Sequence, residues 1–129
     1  MGNGTDDREI RSYRDLVAWQ RAFALGLTVY SLTKGFPDFE RFGLTSQVRR
    51  SVVSIASNIA EGYGRGSRQD YLRFLKIARG SLFEVETQLL FAVKLEYMTP
   101  SQMEIVTQQV NDTAKVLSGL IARLEQESQ

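Results

Sequence analysis

With no histidine and no cysteine in 129 residues, the chain lacks the side chains that carry most nucleophilic, general-base and metal chemistry. A histidine-based triad and the Glu-x-x-His ligands of a ferritin-like di-iron site are excluded, and a structural zinc site is without its usual donors. Carboxylates remain, but Glu84 and Glu86 lie two apart on a helical stretch and point to different sides, which makes them a poor acid and base pair. No catalytic residue, metal ligand or cofactor is expected, and the chain reads as a non-enzyme. The run GYGRGS at 62–67 places three glycines before a helix start, as a phosphate loop does. It lacks the preceding strand and the Gly-Lys-Ser/Thr ending, so it reads as a helix stop and linker, with Arg65 and Arg68 beside a helix N-terminus that favours anions.

Charge is the other chemistry available. The net charge is only +1, yet residues 41–80 hold eight basic against two acidic side chains, a net of +6, and residues 81–129 hold three against seven, a net of −4. Arg49, Arg65, Arg68, Arg73 and Lys76 are therefore candidates for phosphate contacts with RNA or DNA, which would be sequence-independent and salt-sensitive. The alternative pairs these cations with Glu61, Glu84 or Glu86 of the same or a neighbouring chain. Aromatic interleaving is sparse, with only Tyr63 and Tyr71 nearby, so base stacking is weakly supported.

Polar chemistry also gathers on one face of the stretch Leu44–Gly62. At about 100° per residue, Leu44, Val48, Val52, Ile55, Ile59 and Tyr63 share one side. Gln47, Arg50, Ser54, Ser57, Asn58 and Glu61 share the other. Small side chains let a second backbone approach, and the interspersed amides and charges bond directionally. The expectation is an interior network of Gln47, Arg50, Ser54, Asn58 and Glu61, with Asn58 and Glu61 inaccessible.

Four helices must position these groups. The first begins near the Ser12–Asp15 capping box and runs from Arg14 to about Lys34. It carries two apolar rows: Leu16, Trp19, Phe23, Leu27 and Tyr30, and nearly opposite them Ala18, Ala22, Leu25, Val29 and Leu32. A monomer's surface helix needs one such face, so the second row is expected at an oligomer interface. KGFPDFERFG connects to the second helix, and Ser67 caps a third that runs to about Glu96. Thr99-Pro100 with Gln102 starts the fourth, whose stripe is Met103, Val106, Val110, Thr113, Leu117, Leu120 and Leu124. Gly26, Gly80 and Gly119 fall inside helices, where glycine costs about 1 kcal/mol relative to alanine, and close helix contact is the expected compensation at Gly26 and Gly80.

No stretch alternates with period two, and 43% apolar residues support one core. The expectation is an all-α, up-down-up-down antiparallel four-helix bundle over residues 13–125, between a polar tail at 1–12 and a short tail at 126–129. No apolar run is long enough to span a bilayer, and MGNGTDDREI is too polar for a signal peptide. Asp6 stands where myristoylation wants Ser or Thr. A cytoplasmic protein without membrane partners is expected.

LVAWQRA, then GFPDFERFGLTSQVRRSVVSIASNIAEG, FLKIARGSLFEVETQL and LEYMTP occur in that order. Together they resemble the bacterial four-helix bundle family first noticed as proteins encoded in intervening sequences of large-subunit ribosomal RNA genes. The resemblance covers about residues 13–124 and rests on Trp19-Gln20, Gln47, Arg50, Ser54, Asn58, Glu61-Gly62 and Gly80-Ser81 with Glu84. It implies a cytoplasmic bundle that assembles as a ring-like homopentamer, with no established enzymatic activity. A related group, the accessory variability proteins of diversity-generating retroelements, is similar in size and assembly and partners a reverse transcriptase and its RNA. This chain's near-neutral charge departs from the strongly basic balance of that group. The function implied is a self-assembling scaffold or adaptor with modest nucleic-acid affinity, and the alternative is a nucleic-acid-binding partner of a reverse transcriptase.

Overall fold

The computed structural model describes residues 9–127, which form four α-helices and, among the described residues, no strand: α1 (Val17–Thr33), α2 (Leu44–Tyr63), α3 (Arg68–Lys94) and α4 (Pro100–Glu127). Most of the expected polar N-terminal tail and the last two residues of the expected C-terminal tail lie outside the described residues.

Local signals set most of the boundaries. Ser67 Oγ accepts from the Asp70 N–H at 3.1 Å and opens α3. Thr99 and Gln102 form a reciprocal box at the head of α4, with Gln102 N–H to Thr99 Oγ1 at 3.1 Å and Thr99 N–H to Gln102 Oε1 at 2.9 Å. These bonds satisfy N–H groups that the first turn leaves without partners. The Ser12 capping box also forms, but it caps a 3-10 turn at Tyr13–Asp15, and extended Leu16 (φ −73°, ψ 127°) separates that turn from α1. The first helix therefore starts at Val17, three residues later than its sequence signal. Gly66, at φ +88°, takes the left-handed turn between α2 and α3 that other residues disfavour.

Each helix packs on its sequence neighbours, and α4 returns to α1. The core lies along their shared axis, with Leu25, Val29, Ile55, Ile59, Leu75, Leu82, Leu89, Val106 and Leu117 fully buried. The apolar stripes expected for α2 and α4 supply part of it, joined by Leu25 and Val29 of α1 and by Leu75, Leu82 and Leu89 of α3. The α2–α3 seam is close at Gly62, where an added Cβ would lie 2.7 Å from Phe74 Cβ. Polar links mark the other seams: Arg49 Nε donates to Thr33 Oγ1 at 2.8 Å between α2 and α1, and Lys76 Nζ meets Glu125 at 2.8 Å between α3 and α4. Arg79 Nη1 also reaches Ser118 Oγ at 3.4 Å across the α3–α4 seam.

One carboxylate ties two connections together. Glu40 Oε1 accepts from the Leu44 N–H at 2.9 Å at the start of α2, and Glu40 Oε2 accepts from the Tyr97 hydroxyl at 2.8 Å in the α3–α4 connection. The Leu44 bond chiefly, and the Tyr97 bond second, hold the Glu40 carboxyl below its ordinary 4.5. The same bond raises the Tyr97 phenol above its ordinary 10.0. Phe36 and Phe39 ring the tyrosine at centroid distances of 5.5 and 6.3 Å.

Candidate functional site

The polar face of α2 does not close into an interior network. Gln47, Arg50, Ser57 and Glu61 are exposed, and Ser54 and Asn58 are half-buried. Arg50 Nη2 donates to Ser46 Oγ at 3.0 Å, and Glu61 pairs with Arg65 one turn on at 3.5 Å. What remains is a small cluster. Asn58 Nδ2 donates to Ser54 O at 2.8 Å and to Ser54 Oγ at 2.9 Å, and the Ser54 hydroxyl meets that of Ser81 on α3 at 3.1 Å. The expectation of an inaccessible Glu61 is corrected. The face is tilted so that only its Ser54 edge meets α3, while Arg50 and Glu61 turn to water.

The five basic candidates are scattered, and four of them have partners within the chain. Arg49 lies against α1, its guanidinium 4.6 Å from the Tyr30 ring centroid as well as bonded to Thr33. Arg65 pairs with Glu61 and stands over the Phe74 ring, Arg73 pairs with Asp70 at 3.5 Å and stands over the same ring, and Lys76 pairs with Glu125. Arg68 is exposed at the head of α3 and lines a shallow cleft with Tyr63, Tyr71 and Glu127. Burial pushes the Tyr71 phenol up to about 12, Tyr63 adding to the shift and Arg123 opposing it.

The two apolar rows of α1 exchange the places expected for them. Ala18, Ala22, Leu25 and Val29 are at most 1% exposed and face the bundle's own core, and Leu32 is half-buried at its edge. They are unavailable to a second chain in the folded protomer. Outward instead stand Phe23, Leu27 and Tyr30, 49, 61 and 40% exposed, with Trp19 beside them. The reason is size. Alanines at 18 and 22 let α1 sit close to its neighbours, whereas a row of Trp, Phe and Tyr would hold the helices apart.

This outward row and α2 enclose a groove of about 310 Å³ lined by Trp19, Phe23, Gly26, Leu27 and Tyr30 from α1 and by Val53, Ala56 and Ala60 from α2, with no charged side chain in its wall. Its aromatic wall is ordered before anything binds. Trp19 stacks on Phe23 at 5.0 Å between centroids, and Tyr13 meets Trp19 edge-on at 5.3 Å. Aromatic groups already fixed by their neighbours lose little freedom on docking, which makes them effective anchors. Val53, Ala56 and Ala60 escaped the sequence reading because they fall between the two faces assigned to α2. The available signal was their i, i+3, i+7 spacing.

Among the described residues, no group of three or more acidic side chains stands ready to hold a metal ion, and no helix is long and apolar enough to cross a membrane. The groove offers apolar and aromatic contact area.

Comparison with known proteins bears on the family and the fold. Residues 14–119 match the family model of the 23S rRNA-intervening sequence protein. Among solved structures, the chain is similar to a protein of unknown function from the S23 ribosomal protein family of Bacteroides thetaiotaomicron. The two share 27% identity and a TM-score of 0.75, over 81% of this chain and 98% of that one. No curated protein matches the sequence.

Proposed function

This chain belongs to the 23S rRNA-intervening sequence protein family, and on that premise we propose that it is a non-enzymatic, self-assembling scaffold of the cytoplasm. Its domain at 13–125 is an up-down-up-down antiparallel bundle that forms a homopentameric ring. The observation that carries the reading is the uncharged groove between α1 and α2, walled by Trp19, Phe23, Leu27 and Tyr30. A stable monomer has no use for stacked aromatics and a 61% exposed leucine on one face. The α3–α4 links from Lys76 to Glu125 and from Arg79 to Ser118 support antiparallel neighbours. The number five comes from the resemblance.

The scaffold reading is favoured over nucleic-acid binding because Arg65, Arg73 and Lys76 already have carboxylate partners in their own chain. A phosphate would have to displace each partner, which lowers the gain per contact. No observation calls for a reverse transcriptase.

Multi-angle light scattering at micromolar concentration tests the proposal. The expected mass is five times the 14.6 kDa protomer, and a monomeric mass overturns it. A gel-shift titration at about 50 mM salt accompanies it. Only weak retardation is expected, and tight, steeply salt-dependent binding would restore the nucleic-acid reading.

A further inference from the structure

We infer that residues 9–16 form a strap, hinged at Leu16, that occupies one end of the α1/α2 groove through Tyr13 and swings clear of it without unfolding the bundle. The inference concerns a single protomer and goes beyond the assembly reading, because the chain itself supplies what the strap puts over the groove.

The strap is built apart from the helix it precedes. Its hydrogen bonds close on themselves. Arg11 and Ser12 donate their N–H groups to Asp15 Oδ2 at 2.9 and 3.2 Å, and Arg14 N–H donates to Ser12 Oγ at 3.1 Å. The N–H groups of Asp15 and Leu16 close the 3-10 turn onto Ser12 O and Tyr13 O, each at 3.0 Å. None of Tyr13, Arg14 and Asp15 is buried.

Leu16 has the features of a pivot. Its backbone is extended (φ −73°, ψ 127°), its side chain packs against the core, and its carbonyl accepts from the Gln20 N–H at 3.1 Å at the start of α1. Rotation about a residue anchored in this way moves the chain before it and leaves the helix after it in place.

What the strap touches is the groove. Tyr13 lines it together with Trp19, Ser57 and Ala60. The Tyr13 ring stands edge-on to Trp19 at 5.3 Å, while Phe23 stacks on the same indole at 5.0 Å. A ring entering this end of the groove would make the contact that Tyr13 already makes, so Tyr13 acts as an occupant from within the chain. With the strap closed the groove ends at Tyr13, and with it open the groove runs on past Trp19. The contact is autoinhibitory, since whatever docks against Trp19 from that end must first displace Tyr13.

The tether is exposed. From α1, Gln20 Nε2 donates to Arg14 O at 2.8 Å. An exposed hydrogen bond and a ring contact between half-buried side chains are small against the core beneath, so the strap opens at far lower cost than the bundle unfolds.

The test is Gln20→Ala in the whole chain, which removes the tether and alters neither ring. Hydrogen exchange by NMR reads the open population at the Asp15 and Leu16 amides, whose bonds belong to a single turn too short to persist off the bundle. Both amides are expected to exchange about two- to tenfold faster in the variant, the effect of losing one ordinary hydrogen bond. The Leu25 amide in the core of α1 and the thermal melt are expected to keep their wild-type values. Trp19 is the only tryptophan, so acrylamide quenching of its fluorescence reads the groove end itself. Gln20→Ala is expected to fall between wild type and Tyr13→Ala, which lacks the covering ring. Wild-type exchange at Asp15 and Leu16 as slow as at Leu25, or no acceleration there in Gln20→Ala, overturns the inference, because the strap then opens only with the bundle. Repeating the quenching on a Leu27→Glu background, whose charged groove resists cover by a second copy, separates the strap's cover from a partner's. Tyr13→Ala that quenches no more than its parent on that background overturns the inference as well, because Tyr13 then covers nothing.

Discussion

Replacing Gly62 by alanine places a methyl group where the structure has no room. The added Cβ falls 2.7 Å from Phe74 Cβ, 3.2 Å from Tyr71 Cδ1 and 3.3 Å from the Tyr71 carbonyl oxygen. The nearest atom is a Cβ and the third is backbone, so neither can rotate away, and relief requires α3 to move off α2. Overpacking of this kind costs about 1–3 kcal/mol, and the rigid neighbours put this site at the upper end. Against it stands the helix preference for alanine over glycine, about 1 kcal/mol in a helix interior and less in the last turn, where Gly62 sits. The net expectation is a loss of about 2 kcal/mol. With unfolding entropy near 2.1 cal/mol/K per residue, that lowers Tm by about 7 °C. Gly119→Ala is the internal control. Nothing lies within 4 Å of its added Cβ, so the helix preference acts alone and should raise Tm by about 4 °C in the same assay. Thermal melts by circular dichroism at one fixed protein concentration give both values, since assembly is linked to folding. A Gly62→Ala protein as stable as wild type would refute the close-approach argument.

Leu25 is fully buried while Leu27, two residues on, is mostly exposed, so Leu25→Glu should cost several kcal/mol and abolish the cooperative melt that Leu27→Glu keeps. A Leu27→Glu protein less stable than Leu25→Glu would place the rows of α1 the other way round. Asn58→Ala removes two hydrogen bonds onto Ser54 but leaves the Ser54–Ser81 contact in place, so urea melts should show a loss of about 1 kcal/mol. A loss above about 3 kcal/mol would mean that Asn58 holds a buried partner. The Glu40–Tyr97 bond should make stability depend on pH at both extremes. A lowered carboxyl keeps its stabilising contribution above 4.5 and loses it as pH falls through the folded value, and a raised phenol keeps its contribution below 10.0 and loses it as pH rises through the folded value. Tyr97→Phe should therefore be less stable than wild type near neutrality, with the gap to wild type narrowing below pH 4.5. A gap that does not change with pH would show that the hydroxyl bond is not made to the ionised carboxylate.

What the sequence determined by itself was local. Periodicity, the caps at Ser67 and at Thr99 with Gln102, and the glycines between α2 and α3 act within a few residues, and they mark out four helices before any packing is known. The inward stripes of α2 and α4 were equally legible, because each is one continuous row of apolar residues at helical spacing. Tertiary structure had to decide wherever one helix offered two answers. On α1 both rows are apolar, and hydrophobicity does not rank them. The close approach of α2 and α4 takes the alanine row and turns the aromatic row outward. On α2 the polar face is wider than its seam with α3, so packing leaves Ser54 and Asn58 partly covered and Arg50 and Glu61 in water. Partners of the basic residues were undecided for a related reason: Arg65, in the turn after α2, and Arg73, on α3, meet carboxylates four and three residues away, whereas Lys76 meets Glu125, forty-nine positions along the chain, a neighbour that exists only once α3 and α4 lie side by side.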